Sequence, residues 1–273
     1  VPLGYDTSGE NLFLSYLIVY MHKIASIFLS SVTLSDVFLF YPVIAFVIAD
    51  IFFFLIAKKL FNSGIALIAT AFLNFVPSAF LSRTVVGFSD KEPAGIVFML
   101  IAIYLYLIGM SKENRKDKLI YGALTGVSTG LMSLIWGGVQ FLLMLLAAHV
   151  FVEIALDRFK NEDFYLYSSY VLFAISIMVG LSGRYTITTL VRDIVVLLVM
   201  ISEFVVVINK VFGNKIRNLS KDKVPYPVML ILISSVSGVI VGSIFFGSEF
   251  VLNRISGVIS SITKPVGASR FIS

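Results

Sequence analysis

The sequence contains no cysteine and few charged residues. None of its 273 residues is a cysteine and two are histidines. Without cysteine, disulfides, thiolate catalysis and cysteine-ligated zinc are excluded, and two histidines leave little material for histidine-based catalysis. Charged residues make up 14% and hydrophobic residues 58%, whereas soluble globular chains carry roughly 25% and 45–50%. Because so few charges cannot cover a surface in water, the composition predicts an integral membrane protein.

The beginning of the chain and its charge balance carry two further expectations. The chain opens Val1-Pro2-Leu3-Gly4, with no initiator methionine, no basic stretch and no signal-peptide pattern. We therefore expect these residues to belong to the inside of a longer protein. The net charge of +5 comes from 21 basic and 16 acidic residues. In a membrane protein, we expect this basic excess to anchor loops at the cytoplasmic face rather than to bind nucleic acid.

Nine hydrophobic segments predict the fold class. An apolar helix of about 17–25 residues crosses a bilayer, and eight of the nine segments satisfy that length. The first is interrupted by His22 and Lys23, so we expect it to lie along the membrane surface. The predicted fold is an all-α polytopic membrane protein with about eight transmembrane helices and an interfacial helix. The segments are Leu12–Leu29, Val37–Ala57, Gly64–Leu81, Ala94–Met110, Leu119–Trp136, Val139–Leu156, Tyr165–Ser182, Thr188–Ile208 and Pro227–Gly247.

Basic residues in the loops predict the orientation of these segments. The alternate loops 58–63, 111–118, 157–164 and 209–226 contain 13 lysines and arginines, against seven on the opposite side. Cytoplasmic loops are enriched in these residues, so we expect those four loops to be cytoplasmic. The loop charges leave open a ninth crossing by the first segment, which would reverse only what precedes it.

This orientation divides the chain into three predicted regions. Residues 1–36 form part of an external loop that contains the interfacial helix, residues 37–247 form the transmembrane bundle, and residues 248–273 begin a long external loop. In the last region apolar residues recur at helical spacing, which predicts a short surface helix. These residues are Val251, Ile255, Val258 and Ile262.

The external loop 82–93 contains the most informative cluster of polar residues. Asp90 and Glu92 place two carboxylates two residues apart beside the membrane, and Mg²⁺ or Mn²⁺ often binds one or two carboxylates together with substrate phosphate oxygens. The alternative is structural, because Ser89 and Glu92 match a capping box with Pro93 in the first helical turn. The two roles are compatible, since a capped turn also fixes its carboxylates.

Charged residues inside the predicted spans form a second group. Asp50, Arg192, Asp193 and Glu203 lie within hydrophobic segments, where each costs about 2.5–3.5 kcal/mol on insertion scales. Such residues usually face a bundle interior or a water-filled cavity, and a transporter could use them as ion sites. The alternative for Arg192 and Asp193 is a position near a helix end, from which they reach the interface.

Two other patterns indicate packing rather than chemistry. His149 and Glu153 have the i, i+4 spacing of a metal-binding helix face, but no third ligand is near in sequence, so a structural hydrogen-bonding pair is favoured. Gly122, Gly126 and Gly130 recur every four residues. This pattern predicts a close approach of two helix backbones.

The order of the segments and two short motifs carry a family resemblance. A surface segment and two spans precede Arg83-Thr84, Gly87-Phe88 and Asp90-Lys91-Glu92, and two more spans precede Trp136-Gly137-Gly138. This order resembles the catalytic subunit of oligosaccharyltransferase, above all its archaeal single-subunit form. The resemblance covers the whole chain in topology but is specific only at these two stretches. It implies the GT-C-type membrane domain of a glycosyltransferase.

The resemblance implies an activity, a site and partners. The activity is transfer of a preassembled glycan from a polyprenyl (di)phosphate carrier to asparagine in Asn-x-Ser/Thr, and the expected partners are that lipid-linked oligosaccharide, an acceptor polypeptide and membrane lipid. Asp90 and Glu92 carry over as catalytic carboxylates and ligands of Mn²⁺ or Mg²⁺. Arg83, which matches the arginine before the motif, carries over as a substrate-binding residue. The resemblance also implies a multi-pass protein of the cell membrane, or of the endoplasmic reticulum in a eukaryote, with an extracytoplasmic site.

Departures from the family pattern leave alternatives open. A first acidic motif, a further glutamate in the fifth external loop and a soluble Trp-Trp-Asp domain are expected in the family but are not in these residues. We therefore expect a fragment of the transmembrane region that is inactive alone. The alternatives are another membrane glycosyltransferase that uses a polyprenyl-phosphate sugar, and a secondary transporter.

Overall fold

The computed structural model describes residues 12–76, 79–183, 185–186, 189, 193–220, 224–249, 251–253 and 256–257. All regular secondary structure in these ranges is helical, which confirms the predicted all-α class. Ten helices have assigned bounds. They are α1 Phe13–Phe28, α2 Leu34–Leu60, α3 Ser63–Phe75, α4 Ala79–Ser82, α5 Lys91–Met110, α6 Arg115–Ser133, α7 Val139–Ala155, α8 Asp163–Leu181, α9 Ile194–Ser220 and α10 Tyr226–Phe246.

The lengths and compositions of these helices are those of a multi-pass membrane protein. Five are long and apolar enough to cross a membrane, namely α2, α5, α8, α9 and the part of α10 from Tyr226 to Ile244. The helices α1, α3 and α7 are apolar but shorter. Eight crossings were predicted from sequence, and five described helices satisfy both criteria. Among the described helices, α6 is long enough but begins with four charged residues, Arg115-Lys116-Asp117-Lys118.

The predicted segment Gly64–Leu81 is divided into α3 and α4. Helix α3 ends at Phe75, and the next residue, Val76, has extended backbone angles of φ −84° and ψ 122°. Val76 precedes Pro77 in the sequence, and a residue before proline is disfavoured in the helical region by a clash with the proline ring. The uninterrupted helix is therefore 13 residues long, too short on its own to span a bilayer.

The glycines of α6 lie directly against α8. A Cβ atom at Gly122 would be 2.2 Å from the carbonyl oxygen of Leu166, and one at Gly126 would be 2.5 Å from that of Tyr170. At Gly130 the added atom would be 2.6 Å from the Cβ atom of Ile177. Any side chain would collide at these positions, so the prediction of a close backbone approach is confirmed.

A buried ion pair joins α6 and α8 near their N-terminal ends. The Lys118 ammonium contacts the Asp163 carboxylate, and their side chains are only 2% and 4% exposed. The other Asp163 oxygen, Oδ2, accepts a hydrogen bond from the backbone N–H of Lys160 at 2.8 Å. Helix α6 can therefore be more polar than its neighbours, because protein rather than lipid surrounds its polar face.

The described helices fall into two compact units. The first contains α1 to α8 and α9 as far as Glu203, and the second contains the rest of α9 from Phe204, α10 and residues 155–157. Within the second unit, the Arg217 guanidinium makes a bidentate pair with Asp157 at 2.7 and 3.0 Å. The candidate site lies wholly in the first unit.

The predicted external tail is described in part. Residues 248–249, 251–253 and 256–257 are helical, in agreement with the helical spacing of Val251. Val258 and Ile262 of the predicted surface helix lie outside the described residues, as does Ile255.

Candidate functional site

The loop that carries the acidic motif is attached to α2. The backbone N–H of Gly87 donates to the carbonyl of Leu39 at 3.0 Å, and the Ser89 hydroxyl donates to the carbonyl of Phe38. Gly87 has a φ of +86°, a conformation that residues with a side chain rarely adopt. This turn directs residues 88–90 back along α2 and into the first turn of α5.

Asp90 is the N-cap of α5. It has extended backbone angles, and its Oδ1 accepts a hydrogen bond from the N–H of Lys91 at 2.7 Å. The predicted capping box was therefore wrong about its first residue, because Ser89 bonds to α2 and the cap lies one residue later. Glu92 is in the first turn, where the helix dipole favours a negative charge.

Arg83, at the start of the loop, forms an ion pair with Glu92, in the first turn of α5. The Arg83 Nη1 atom contacts Glu92 Oε1, and the two side chains are 44% and 24% exposed. The Arg83 guanidinium also lies 5.9 Å from the centre of the Phe88 ring. An ion pair this exposed contributes at most about 1 kcal/mol to the stability of the fold. Its main effect is to hold the Arg83 side chain beside Glu92. The three residues predicted for the site, Arg83, Asp90 and Glu92, thus occur together at the beginning of α5.

The Trp-Gly-Gly motif packs against the same end of α5. A Cβ atom at Gly95 would be 2.8 Å from the Trp136 ring, and one at Gly138 would be 2.5 Å from it. The two glycines therefore accommodate the indole between the start of α5 and the turn before α7. Trp136 is thus in contact with α5 at Gly95, three residues after Glu92 of the acidic motif.

A small apolar cluster packs against Trp136 and the first turns of α5. It contains the buried residues Ile18, Val37, Tyr41, Ala94 and Ile135, with Trp136 packed against it. The cluster thus joins α1, α2, α5 and the residues that follow α6. Its member from α5, Ala94, lies one helical turn after Asp90. Sequence reasoning did not select Tyr41, whose only signal is a polar hydroxyl within an apolar segment.

The donor set at this site is suitable for a hard divalent cation but incomplete. Asp90 and Glu92 are partly exposed carboxylates, the ligand type that Mg²⁺ and Mn²⁺ prefer. Among the described residues, no group of three or more histidine, aspartate or glutamate side chains is arranged to hold a metal ion. Since such cations often bind only one or two carboxylates and complete their shell with phosphate and water, the two carboxylates fit this role.

The acidic residues inside the predicted spans have different surroundings. Asp50 accepts a hydrogen bond from the Asn74 amide at 2.9 Å, which joins α2 to α3. Asp193 accepts from the N–H of Val195 at 2.8 Å and from the Gln140 amide at 3.0 Å, so it caps the start of α9. Arg192 lies outside the described residues.

His149 and Glu153 have the structural role that was favoured. The His149 Nδ1 atom is 3.2 Å from the Tyr106 hydroxyl, and its Nε2 atom is 3.9 Å from Glu153 Oε1. Their contacts within the described helices are with each other and with a tyrosine rather than with a third acidic ligand. Glu203 differs, because its Oε2 atom is buried and has no hydrogen-bond partner among the described residues.

Comparison with curated proteins identifies relatives of one kind. The chain is 26% identical over 173 residues to dolichyl-phosphooligosaccharide-protein glycotransferase 3 of Archaeoglobus fulgidus, which is 59% of this chain and 20% of that protein. It is 31% identical over 119 residues to the STT3A subunit of a dolichyl-diphosphooligosaccharide–protein glycosyltransferase of Oryza sativa subsp. japonica, which is 44% of this chain and 14% of that protein. The chain thus spans a fifth or less of the length of these relatives.

Comparison with solved structures gives the same fold. The oligosaccharyltransferase of Archaeoglobus fulgidus in its apo form has a TM-score of 0.68 at 18% identity, over 94% of this chain and 32% of that one. Its complex with Zn and sulfate has a TM-score of 0.66 at 19% identity, over 96% and 35%. The archaeal oligosaccharyltransferase from the same organism with an inhibitory peptide and a dolichol-phosphate has a TM-score of 0.66 at 18% identity, over 97% and 35%.

The family assignment rests on the match along the whole chain. The family model described as "Oligosaccharyl transferase STT3, N-terminal" matches residues 1–263. That range includes the acidic loop bonded to α2, the N-cap at Asp90 and the contact of Trp136 with α5. Both motifs and the contacts between these elements therefore lie within the matched region. The chain therefore belongs to the oligosaccharyl transferase STT3 family.

Proposed function

We propose that the full-length protein transfers a glycan from a polyprenyl phosphate or diphosphate carrier to the side-chain amide of asparagine in Asn-x-Ser/Thr. The observation that carries the proposal is the grouping of Asp90, Glu92 and Arg83 at the beginning of α5, in a chain that belongs to the STT3 family. The curated relatives named above are dolichyl-linked oligosaccharide transferases, which supports the same substrate class.

The proposed role of Asp90 and Glu92 follows from the chemistry of the acceptor. The asparagine amide nitrogen is a poor nucleophile because its lone pair is delocalised into the carbonyl. A carboxylate that accepts a hydrogen bond from the amide N–H polarises the nitrogen and stabilises the charge that develops during attack. The bond from the anomeric carbon to the phosphate oxygen breaks and the carbon–nitrogen bond forms. The carrier phosphate leaves with the electron pair of the broken bond, and the proton that the amide loses passes to the carboxylate that accepts its hydrogen bond.

The same two carboxylates are the proposed ligands of a divalent cation, Mn²⁺ or Mg²⁺. The complex of the archaeal structure with Zn and sulfate supports binding of a divalent metal by proteins of this fold. When bound, the cation supplies Lewis-acid stabilisation of the departing phosphate. Arg83 is paired with Glu92 and carries a positive charge beside the two carboxylates, so we assign it to the carrier phosphate; Glu92 would hold the cation together with Asp90.

The proposed placement in the membrane extends what helix lengths establish. The short helices α3 and α7 and the polar α6 are proposed to cross together with the five longer helices, which gives eight crossings within residues 37–247. Residues 1–36 and 248–273 then belong to external loops, and the site of Asp90 faces the extracytoplasmic side. The archaeal complex with a dolichol-phosphate and an inhibitory peptide supports a lipid carrier as a partner, and the archaeal structure tethered with an acceptor peptide containing the NVT sequon supports an acceptor polypeptide.

The test separates the chemistry of Asp90 from its capping role. Asparagine is as good an N-cap as aspartate, so Asp90→Asn in the full-length protein keeps the cap and removes the carboxylate. We expect glycan transfer to an Asn-x-Thr peptide to fall by about 100-fold or more, with an unchanged thermal unfolding midpoint. The matched control is Asp193→Asn, which alters an aspartate that caps α9 and should retain transfer. Wild-type transfer by Asp90→Asn would refute the proposal.

The acceptor peptide distinguishes this function from the alternatives. A peptide containing Asn-x-Thr should be glycosylated, whereas a peptide with serine as its only acceptor should not. Transfer to the serine peptide alone would instead identify a hydroxyl-directed transferase. A transporter would require ion-driven uptake that depends on Asp50, which forms a hydrogen bond with Asn74.

A further inference from the structure

Tyr41 is a buried tyrosine whose hydroxyl is unused. The residue lies in α2 and is 2% exposed, and its hydroxyl has no hydrogen-bond partner in the part of the chain that the structure describes. An unsatisfied buried polar group costs about 1–3 kcal/mol, and phenylalanine would fill the same space without that cost. The hydroxyl therefore requires an explanation beyond packing.

The position of Tyr41 places it behind the acidic loop. The loop is bonded to α2 at Phe38 and Leu39, two and three residues before Tyr41. On its other side, Tyr41 belongs to the cluster with Ala94, which lies one helical turn after Asp90. The loop and the first turn of α5 thus hold Asp90 next to this part of α2.

One oxygen of the Asp90 carboxylate is held by the backbone of α5. Its Oδ1 accepts from the N–H of Lys91, which fixes that oxygen at the start of α5. A carboxylate that is to bind a cation or an amide in one orientation needs its side chain fixed more completely. A phenol is a suitable donor for this purpose, because it donates one hydrogen bond and stays neutral at physiological pH.

We propose that Tyr41 is a positioning residue for Asp90, with its phenol O–H donating to the Asp90 carboxylate after a rotation of the side chain or through one water molecule. The proposal rests on the proposed function, in which Asp90 is a metal ligand and active-site carboxylate. Tyr41 does not touch the substrate in this arrangement. It acts by restricting the rotamer of Asp90, which raises the affinity of the site for its cation.

The experiment compares two buried tyrosines that differ in their neighbours. Tyr170 in α8 is fully buried and its hydroxyl also has no hydrogen-bond partner among the described residues, but its ring packs against Tyr167, with 5.5 Å between the ring centroids, and it is not among the residues of the Ala94 cluster. Tyr41→Phe and Tyr170→Phe therefore remove the same atom from the same kind of interior. A difference between them reports on Asp90.

The readout is binding of Mn²⁺ alone to the full-length protein, measured by electron paramagnetic resonance of the free ion in the absence of carrier and peptide. Loss of a group that bonds to a metal ligand typically lowers metal affinity about 10–100-fold. We expect Tyr41→Phe to raise the Mn²⁺ dissociation constant about 10-fold, Tyr170→Phe to leave it unchanged, and both variants to unfold at or above the wild-type temperature. Saturating Mn²⁺ should restore most transfer activity to Tyr41→Phe.

The possible results have separate meanings. Equal Mn²⁺ affinities for Tyr41→Phe and wild type, or equal losses in Tyr41→Phe and Tyr170→Phe, would overturn the role of Tyr41. Asp90→Asn tests the underlying site independently. If Asp90→Asn loses Mn²⁺ binding while Tyr41→Phe does not, only the inference about Tyr41 fails. If Asp90→Asn binds Mn²⁺ and transfers glycan like wild type, the proposed function itself fails.

Discussion

At the scale of single residues, two acidic side chains inside the first unit differ in how their charge is compensated. Asp163 is 3% exposed and is paired with Lys118, which is 1% exposed. Glu203 has a buried Oε2 atom without a hydrogen-bond partner among the described residues. Neutralising one member of a buried ion pair leaves the other charge buried without compensation. Glu203 has the Ser168 hydroxyl as a neighbour and no ion pair among the described residues, so neutralising it mainly removes a desolvation penalty.

This contrast predicts opposite effects of neutral amide substitutions. Asp163→Asn should destabilise the protein by about 3–5 kcal/mol, because it leaves the Lys118 ammonium buried and unpaired. Glu203→Gln should unfold at the wild-type temperature or above it, because a neutral amide avoids the cost of burying a charge, about 2.5–3.5 kcal/mol on insertion scales. Thermal unfolding in detergent measures both. A large loss of stability in Glu203→Gln would show that its carboxylate has an essential partner.

Sequence predicts which residues are unusual at this scale better than it predicts their partners. The charges at Asp50 and Glu203 stand out in apolar segments. The partner of Asp50, however, is Asn74 in the next helix, α3, and the residues around Asp50 do not predict that pairing. The cap of α5 shifted from Ser89 to Asp90 because the Ser89 hydroxyl bonds to α2. Tyr41 was missed because nothing local distinguishes it. The partner of Asp50 is 24 residues away along the chain, that of Ser89 is 51 residues away, and Ala94 in the cluster of Tyr41 is 53 residues away.

At the scale of helices, the contact between α6 and α8 depends on the absence of side chains. Gly122 faces the carbonyl of Leu166 so closely that a Cβ atom would be 2.2 Å from its oxygen. A backbone atom cannot move aside as the end of a flexible side chain can. By contrast, nothing lies within 4 Å of a Cβ atom added at Gly180, near the end of α8.

The two glycines therefore form a matched pair for substitution. Gly122→Ala should destabilise the protein by about 1–3 kcal/mol, the usual cost of overpacking, because α8 has to move away from α6. Gly180→Ala should be neutral or stabilising by up to about 1 kcal/mol, since alanine is the better helix former. Thermal unfolding of both variants in the same detergent tests this. A smaller loss for Gly122→Ala than for Gly180→Ala would contradict the tight contact.

At the scale of the whole molecule, composition and periodicity predict the class of fold well and the number of crossings less well. The apolar segments correspond to helices throughout the described ranges, because burial in lipid demands internally bonded backbone. Length and polarity mislead at α3, which ends before Pro77, and at α6, where polar residues from Lys118 to Ser133 are buried in protein. The length and polarity of these two helices depend on contacts with neighbouring helices. Hydropathy along the chain does not measure such contacts.

The proposed eight crossings predict which side of the membrane each loop occupies, and the absence of cysteine from the 273 residues makes the test direct. Val86 in the acidic loop and Glu113 in the loop before α6 are exposed, so single cysteines there reach reagents without disturbing the core. In intact cells or right-side-out vesicles, a membrane-impermeant maleimide should label Val86→Cys and not Glu113→Cys. Permeabilised membranes should label both. Labelling of both loops in sealed membranes would place both on the external side and would exclude α5, the helix between them, as a crossing helix. Labelling of Glu113→Cys alone would contradict the external location of Asp90.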